Sequence, residues 1–513
     1  MKGKIAATVI ICLIGLPLLF FFGSAVVLFL APGTEIFGVR YVSAALKTTV
    51  KNGSQNLPAA TFAGDIYVET YGVPITIQFS EYYNTSVVFT QNFIGYTRSE
   101  YRTPELDVTF DENENLRITA KELVKFIHAN ESNGNYEFVL TLSSAYIKDK
   151  GISIKSHNSD VNIVGTAKFT FFHLESEGEL TIQNKLIAPS FKYHTLKSIN
   201  VGSKIETSTV DLKSEGGYIN ISKEISGDIV AETKNGDIKF VSCANLDAKS
   251  DSGSVKCSTE GLALVKGQTK IRTKAGNVYL GHVSTADKDK VCYIQTGSGS
   301  INLNTLVDGE LTSSRGRIVV DSAKNLVINS KVGNVTIGSV SNGIVVNGRN
   351  GKVVLGETGT VNNPKVKTTS GAIKVENATG KVELESTSQS VTFKNAGSID
   401  IKLHAGKSLT AENLRGNVTA YANGDVDMSF VEISGGVTIT VGSKSDEVIV
   451  YAQDTPIDTV DYYLKSSKGK KAKLYAENIL VEESSNIDSG IHLDRKRITI
   501  KSSYAKIVLR LGA

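Results

Sequence analysis

Carboxylates are the side chains that could most readily give this chain a catalytic site, because the sequence contains 52 Asp and Glu residues in 513. Enzymes that cleave polysaccharides place two carboxylates across the scissile bond, one as a general acid and the other as a base or nucleophile. In a stack of β-strands, such a pair would appear as Asp or Glu recurring at one outward position of neighbouring strands. Recurring carboxylates at an outward position would therefore indicate a catalytic site.

Two outward positions of the repeat described below contain almost no carboxylates. Position +3, counted from the glycine of each turn, is occupied by Asn220, Lys239, Lys256, Tyr279, Asn302, Val319, Thr336, Val354, Lys374 and Thr392. Position +1 is occupied by Tyr218, Asp237, Ser254, Asn277, Ser300, Arg317, Asn334, Lys352, Ala372 and Ser390. These positions predict no catalytic residue and a protein that is not an enzyme. A polysaccharide lyase or glycosidase on the same scaffold remains the alternative.

Histidine and cysteine, the other residues able to bind metals or act as nucleophiles, have no spacing that is typical of a site. The seven histidines are dispersed and form no HxxxH or HExxH motif: His128, His157, His173, His194, His282, His404 and His492. The four cysteines, Cys12, Cys243, Cys257 and Cys292, form no CxxC pair, so we expect small buried apolar side chains. The sequence predicts no metal site and no cofactor, since P-loop and dinucleotide motifs are also absent.

The charge balance argues against nucleic acid as a partner. Lys and Arg number 56 against 52 Asp and Glu, a net charge of +4. Proteins that bind nucleic acid use an excess of basic residues to contact phosphates. The composition, with 46 Gly, 8 Pro and no Trp, instead favours strands separated by tight turns.

A repeat of strand, glycine turn and strand runs through the chain and would position any functional side chain. The turn glycines recur every 17 to 23 residues, at Gly217, Gly236, Gly253, Gly276, Gly299, Gly316, Gly333, Gly351 and Gly371, with Gln389 continuing the series. Counting from the glycine, positions −5, +2 and +4 are apolar, and the residues between them are polar. Apolar residues that alternate with polar ones indicate half-buried strands, and a period of this length is that of a solenoid.

Equivalent positions of the repeat contain the same class of residue, which predicts that the strands stack in register. Position +2 holds Ile219, Ile238, Val255, Val278, Ile301, Ile318, Val335, Val353, Ile373 and Val391. Position −3 holds Ser214, Thr233, Ser250, Thr273, Thr296, Ser313, Ser330, Gly348, Thr368 and Ser386. We expect an apolar column at +2, a hydrogen-bonding Ser/Thr column at −3, and a positive φ at the glycines. The fold class is therefore an all-β, single-domain β-solenoid of about fourteen to sixteen rungs, and crossover sterics favour right-handed coiling.

The N-terminal segment predicts a transmembrane helix. No charged residue occurs from Ile5 to Ala31, and about 20 apolar residues suffice for a helix to cross a bilayer. Lys2 and Lys4 precede the segment, so the N-terminus is expected in the cytoplasm and the rest of the chain outside it. A cleaved signal peptide is the alternative, because Gly23, Ser24 and Ala25 form a cluster of small residues.

These features define the expected organisation of the chain. We predict a cytoplasmic stub at 1–4, a transmembrane anchor at 5–31, a spacer at 32–60, capping strands at 61–150, solenoid repeats at 151–440 and capping strands at 441–513. The caps are needed because an open end of a solenoid would be a template for other strands.

The lead-in strand GDIYVETYGVPITI, followed by units such as KIRTKAGNVYL (270–280) and YIQTGSGSINL (293–303), resembles the "putative adhesin" family of bacterial envelope proteins. The resemblance covers most of residues 60–440. It implies a β-helix with no assigned reaction, and it brings no catalytic residues.

The expected function is that of a single-pass membrane protein whose body is outside the cytoplasm, as a structural or adhesion module. Residues 5–31 would contact the lipid bilayer, and the rigid β-helix surface would contact a glycan or a surface protein. A third interpretation is an envelope assembly or sensing component that pairs with a partner through its end strands at residues 500–511.

Overall fold

The computed structural model describes residues 35–36, 39–40, 48–57, 63–80, 85–93, 105–121, 135–143, 147, 149–183, 185–202, 204–257, 264–284, 292–395, 397–398 and 400–512. The predicted anchor at 5–31 lies outside the described residues. Within these ranges, no helix has the length and apolar character that a membrane span requires.

The described chain is a β-solenoid of about 15 turns with almost no helix, as the sequence predicts. Up to residue 214 the strands are β1 (Glu35–Ile36), β2 (Val39–Arg40), β3 (Thr48–Leu57), β4 (Ile66–Tyr71), β5 (Ile75–Ser80), β6 (Thr85–Phe93), β7 (Glu105–Phe110), β8 (Leu116–Lys121), β9 (Asn135–Ser143), β10 (Ile152–His157), β11 (Val161–Val164), β12 (Ala167–Lys168), β13 (Phe171–Ser176), β14 (Leu180–Ile182), β15 (Lys185–Ile187), β16 (Ser190–Thr195), β17 (Ile199–Val201), β18 (Lys204–Glu206) and β19 (Thr209–Ser214).

The strands continue to the C-terminus, with one short 3-10 turn at Ile457–Thr459. They are β20 (Ile219–Ile221), β21 (Asp228–Thr233), β22 (Ile238–Phe240), β23 (Leu246–Ser250), β24 (Val255–Cys257), β25 (Leu264–Val265), β26 (Thr269–Thr273), β27 (Val278–Val283), β28 (Cys292–Thr296), β29 (Ile301–Ser313), β30 (Ile318–Ser330), β31 (Val335–Gly348), β32 (Val353–Leu355), β33 (Val361–Asn362), β34 (Pro364–Thr368), β35 (Ile373–Thr379), β36 (Lys381–Ser386), β37 (Val391–Asn395), β38 (Asp400–Ala405), β39 (Leu409–Leu414), β40 (Asn417–Ala422), β41 (Val426–Phe430), β42 (Val437–Val441), β43 (Glu447–Ala452), β44 (Val460–Ser466), β45 (Ala472–Ala476), β46 (Ile479–Ser484), β47 (Asn486–Asp488), β48 (Lys496–Ser502) and β49 (Lys506–Leu511).

The residues fall into two compact units, whereas the sequence predicts a single domain. The first unit contains the residues up to 215 together with 221–223, and the second contains 216–220 and the residues from 224 onward. In the first unit, β8, β4, β10, β13, β16 and β19 pair in that order as a parallel stack, which we call the upstream ladder. A second sheet has the order β14-β11-β5-β9-β6-β3, and its last two pairings are antiparallel.

The second unit contains two long parallel stacks. Ladder A follows the order β21, β23, β26, β28, β29, β30, β31, β34, β36, β38, β40, β42, β48 and β44. Ladder B follows the order β22, β24, β27, β29, β30, β31, β32, β35, β37, β39, β41, β43, β49 and β45. The strands β29, β30 and β31 belong to both ladders because each is long enough to follow the coil from one ladder to the other.

The apolar column at +2 is confirmed. Ile238, Val255, Val278 and Ile301 pair in consecutive order along ladder B, and each side chain is 0% exposed. Their alternation with outward polar residues places the hydrophobic core inside the coil. Burying equivalent side chains in one column therefore fixes the register of the strands, since a shift by one residue would turn every apolar side chain outward.

The Ser/Thr column at −3 is also confirmed, and its hydroxyl groups bond to the turn. Thr296 Oγ1 donates to the carbonyl oxygen of Gly299 at 2.5 Å, and Thr273 Oγ1 donates to that of Gly276 at 2.6 Å. Ser330 makes the same bond to its own turn glycine at 2.7 Å. These side chains are buried, so the column satisfies carbonyl groups that would otherwise lack a partner.

The prediction that the turn glycines have a positive φ is wrong. None of the described turn glycines of the repeat is among the residues with a positive φ. Glycine is needed there because consecutive turns stack closely: a Cβ atom on Gly276 would lie 1.8 Å from the carbonyl oxygen of Gly253. The backbones can approach so closely only when no side chain separates them.

Downstream of residue 400, Gly416, Gly424 and Gly435 precede strands of both ladders. The strands that follow Gly416 and Gly435 are β40 and β42, which belong to ladder A. Only Gly424 precedes a strand of ladder B, β41. Because glycine precedes strands of both ladders here, the spacing of glycines alone does not identify the ladder to which a strand belongs.

The end strands at residues 500–511 are not free to pair with a partner, contrary to the expectation for the assembly interpretation. β48 pairs with β42 on one side and β44 on the other, and β49 lies between β43 and β45. The chain doubles back after β45, so β46 and β47 pair antiparallel with the preceding strands.

Candidate binding surface

The outward positions +1 and +3 of the repeat lie on the outer side of ladder B. Lys239, Lys256, Tyr279 and Asn302 pair in consecutive order, as the repeat predicts. The sequence predicts no catalytic, cofactor-binding or metal-binding residue. The outward side chains of ladder B form a row, because each belongs to a different strand of the stack.

The charged residues that sequence reasoning missed lie on the outer side of ladder A. One outward column contains Val230, Asp247, Lys270, Tyr293, Glu310, Val327, Val345, Lys365, Glu383, Lys402, Thr419 and Thr438. The next contains Glu232, Lys249, Arg272, Gln295, Thr312, Asn329, Asn347, Lys367, Glu385, His404, Tyr421 and Thr440. In the sequence, these columns correspond to positions −6 and −4 of the repeat.

Opposite charges from neighbouring strands pair along these columns. Lys365 Nζ lies 3.1 Å from Glu383 Oε2, and Lys367 Nζ lies 3.0 Å from Glu385 Oε1. Further upstream, Lys249 pairs with Glu232 in the same manner. Because the partners lie on adjacent paired strands, the surface presents rows of donors and acceptors at the strand spacing.

A shallow depression on ladder A, which we call the downstream depression, combines these ion pairs with aromatic rings. Its volume is about 490 Å³. Its polar lining includes Lys367, Glu385 and Lys402. Beside them, the rings of His404 and Tyr421 lie 4.7 Å apart at an angle of 42°. An aromatic face beside charged hydrogen-bonding groups is an arrangement that can hold an extended polar ligand.

The Glu383 carboxylate of this depression is ionised at neutral pH. Hydrogen bonding to Lys365, and then to Lys381, lowers the pKa of Glu383. A general acid needs the opposite, a raised pKa that keeps the carboxyl protonated. The pairing therefore suits binding through charged groups better than proton transfer.

The upstream ladder has a smaller depression of about 260 Å³, lined by side chains that include Lys155, His157, Glu175 and His194. At its edge, the ring of His157 stacks on Tyr71 with 4.5 Å between centroids and an angle of 10°. Tyr71 Oη donates to Glu69 Oε1 at 2.5 Å, and this bond is the main cause of the lowered pKa of Glu69.

Two histidines of the upstream ladder lie beside each other, His173 on β13 and His194 on β16. Their ring centroids are 6.1 Å apart, and each ring nitrogen Nε2 is close to a carboxylate, Glu175 at 3.7 Å and Asp211 at 3.6 Å. Desolvation lowers the pKa of His173. Nowhere in the described ranges do three or more His, Cys, Asp or Glu side chains form a group that could hold a metal ion.

One carboxyl group has the raised pKa that a catalytic acid requires. Desolvation, followed by the charge of Glu412, raises the pKa of Asp427 on the outer side of ladder B. Asp427 is exposed, and its neighbours along the column are Thr410 and Ile449. Thr410 and Ile449 cannot supply the second carboxylate that glycoside hydrolysis needs, and the carboxylate close enough to affect Asp427 is Glu412.

The cysteines that the structure describes lie inside the coil or at its edge. Cys243 and Cys292 are buried, and burial raises the pKa of both thiols to about 12. Cys257 is half-buried rather than buried, and its thiol donates to the carbonyl oxygen of Val241 at 3.2 Å. Cys12 lies outside the described residues. A thiol with a raised pKa is a poor nucleophile, so Cys243 and Cys292 act as small apolar packing residues.

Two solved structures are similar to the chain at low sequence identity. A "putative cell adhesion protein" from Clostridium sporogenes is 9% identical, covers 90% of this chain and 99% of its own, and has a TM-score of 0.15. A "putative adhesin" from Bacteroides fragilis is 12% identical, covers 64% of this chain and 97% of its own, and has a TM-score of 0.17. Scores this low carry no weight for function. No curated protein matches the chain significantly.

A family model gives the decisive comparison. The model described as Toastrack DUF4097 matches residues 63–337, which is more than half of the 513 residues. The match begins at the lead-in strands and extends through the glycine-turn repeats on which the resemblance was based, and the resemblance is confirmed. The chain belongs to the Toastrack DUF4097 family.

Proposed function

We propose that the chain is a non-catalytic, adhesin-like module of the cell envelope that binds a glycan or a protein partner through the outer side of ladder A. The observation that carries the proposal is the pairing of charged side chains in register along that ladder, as in Lys365 with Glu383 and Lys367 with Glu385. Donors and acceptors that repeat at the strand spacing of about 4.8 Å suit a ligand that is itself extended and repetitive.

The downstream depression is the proposed contact point on this ladder. Tyr421 and His404 offer ring faces, and Lys402 and Glu385 offer a donor and an acceptor beside them. The ladder holds these groups rigidly, so binding would cost little conformational entropy. Such an arrangement suits a glycan and a protein partner equally.

We further propose that residues 5–31 anchor the chain in the cell membrane, with residues 1–4 in the cytoplasm and the β-solenoid outside. The support is the uncharged apolar run itself and the lysines at positions 2 and 4 that precede it. We expect no nucleic acid partner, because the net charge is only +4.

The test is binding by the full-length chain in detergent to a glycan array and to intact bacterial cells. The variant Tyr421→Ala should lose most of the binding, because its ring forms one side of the depression. Tyr279→Ala is the matched control, since Tyr279 is an outward tyrosine of similar exposure on ladder B. Equal loss in the two variants, or no binding to either target, would contradict the proposal.

The polysaccharide-acting enzyme remains the second candidate because of the raised pKa of Asp427. A screen of the same preparation against polysaccharide substrates distinguishes the two functions. Depolymerisation that the variant Asp427→Asn abolishes would establish the enzyme and overturn a purely binding role.

A further inference from the structure

The loop between β47 and β48, residues 489–495, exposes two large apolar side chains. We call it the C-terminal loop. Ile491 is 77% exposed and Leu493 is 106% exposed, the most exposed large apolar residues that the structure describes. Single exposed apolar residues are common on protein surfaces, so exposure alone does not indicate a site. This loop differs from other exposed apolar segments because hydrogen bonds from neighbouring residues hold it in place.

A buried carboxylate holds the C-terminal loop in place. Asp461 on β44 has a side chain that is 1% exposed. Its Oδ2 accepts the backbone N–H of His492 at 2.5 Å, and its Oδ1 lies 2.7 Å from His492 Nδ1. A buried carboxylate is costly unless it is hydrogen-bonded, so Asp461 and His492 depend on each other.

Further hydrogen bonds fix the N-terminal side of the loop. The backbone N–H of Ser489 donates to the carbonyl oxygen of Tyr462 at 3.1 Å, and Ser489 Oγ accepts from the N–H of Tyr462 at 2.9 Å. Arg497 donates to the carbonyl oxygen of Gly490 at 3.2 Å. The bonds to Asp461 fix the backbone of the loop at His492, and Ile491 and Leu493 on either side of it are exposed. The loop therefore does not have to be ordered when a partner binds.

The C-terminal part of the chain, which contains the loop, has a net positive charge. Arg495 ends the loop and Lys496 and Arg497 follow it, while Asp461, Asp488 and Asp494 are the acidic residues beside it. Over residues 460–512 there are eleven Lys and Arg against six Asp and Glu, a net charge of +5, whereas the whole chain has a net charge of +4. The net positive charge of the C-terminal part favours contact with an anionic partner.

We propose that the C-terminal loop docks on an anionic lipid bilayer surface. Ile491 and Leu493 would enter the boundary between headgroups and acyl chains, and Arg495 and Lys496 would contact the headgroup phosphates. Apolar side chains beside basic ones are the combination that binds such surfaces. This lipid contact is separate from the apolar segment 5–31 and does not depend on the proposed adhesin function.

A second copy of the chain fits the loop less well. Two apolar side chains cover far less than the roughly 800 Å² that each partner of a stable protein interface buries. A symmetric dimer through this loop would also bring the Arg495 and Lys496 side chains of both copies together, and like charges across an interface are unfavourable.

Fluorescence of a single introduced tryptophan tests the proposal, because the chain contains no Trp. The full-length variant Leu493→Trp is held in phosphatidylcholine nanodiscs, which accommodate segment 5–31, and vesicles are then added. Vesicles of phosphatidylcholine with phosphatidylglycerol should shift the emission to the blue, and brominated acyl chains should quench it. The control Val332→Trp, at a side chain that is 51% exposed, should not change.

Separate variants test the basic residues and the apolar residues of the proposed lipid contact. Arg495→Gln and Lys496→Gln, each made in the Leu493→Trp chain, should each weaken vesicle binding about fivefold, from the roughly 1 kcal/mol that one basic residue contributes at an anionic surface. Ile491→Ser should weaken binding without altering thermal unfolding, because its side chain is already exposed.

Three results would overturn the proposal. The first is the absence of a blue shift at position 493 with anionic vesicles. The second is an equal shift with vesicles of pure phosphatidylcholine. The third is a shift that increases with protein concentration before any vesicle is added, which would identify a second copy of the chain as the partner.

Discussion

The carbonyl oxygen of Gly299 lies 1.7 Å from the point that a Cβ atom on Gly316 would occupy. The same relationship recurs one turn earlier, where the carbonyl oxygen of Gly276 lies 1.9 Å from the Cβ position of Gly299. Consecutive turns of the coil therefore touch backbone to backbone. The recurrence of glycine in the sequence follows from this contact, since φ at these glycines is not positive.

Replacing Gly316 with alanine should destabilise the protein by about 1–3 kcal/mol, the usual cost of forcing an extra methyl group into a packed region. Chemical unfolding followed by circular dichroism measures the change. The matched control is Gly343→Ala, because no atom lies within 4 Å of the Cβ position of Gly343. Equal stability of the two variants would show that the turns do not stack as described.

Replacing Thr296 with valine should cost about 1–2 kcal/mol, because the buried carbonyl of Gly299 loses the hydroxyl that donates to it. Thr269→Val provides the contrast, since Thr269 is 0% exposed and its Oγ1 has no hydrogen-bond partner. That variant should be neutral or stabilising. A loss of stability in Thr269→Val that equals the loss in Thr296→Val would mean that the Ser/Thr column does not act through hydrogen bonds.

The variant Ile301→Asp should be destabilised by more than about 4 kcal/mol, because it places an unpaired charge in the core. The variant Asn302→Asp should be nearly neutral, since Asn302 is the adjacent residue on the outward side of the same strand. Thermal melts compare the two variants directly. If their melting temperatures were the same, the inward and outward positions would be wrongly assigned.

Acid should release the bond between Asp461 and His492. The hydrogen bond from the backbone of His492 lowers the pKa of Asp461 below its ordinary value of 3.8. The contribution of the carboxylate to stability is therefore complete above pH 3.8 and is lost as the pH falls below it, through the pKa of the folded state. Urea unfolding measures the free energy of unfolding at neutral pH and at a pH below 3.8. The decrease between the two pH values should be smaller in the variant Asp461→Asn than in the natural chain. An equal decrease in both proteins would contradict this role of Asp461.

The periodic residues of the chain were sufficient to predict the fold. Ile238, Val255, Val278 and Ile301 recur at one offset from glycine, and a column of stacked strands requires this recurrence because equivalent side chains share one environment. The Ser/Thr column followed from the same reasoning. The prediction that residues 5–31 form an anchor also rests on sequence alone, and those residues lie outside the described part of the structure.

The candidate binding surface was only partly predictable. The columns with Glu383, Glu385, Lys365 and Lys367 follow from the repeat, but which opposite charges meet depends on the pairing of strands that are separate in sequence. The reversal of the chain at β46 and β47 has no periodic signal, because those strands run antiparallel to the repeat.

The sequence by itself determined that the chain coils, which side chains face inward, and that glycine and Ser/Thr form columns at the turns. These features are local alternations repeated at a fixed interval, and each rung contacts only its neighbours. Only the tertiary structure decided why glycine occupies the turns, which corner Gly416 and Gly435 belong to, and that Asp461 holds His492. Each of these depends on the distance between atoms that are remote in sequence, and such distances are set by how the rungs pack rather than by the alternation within any one of them.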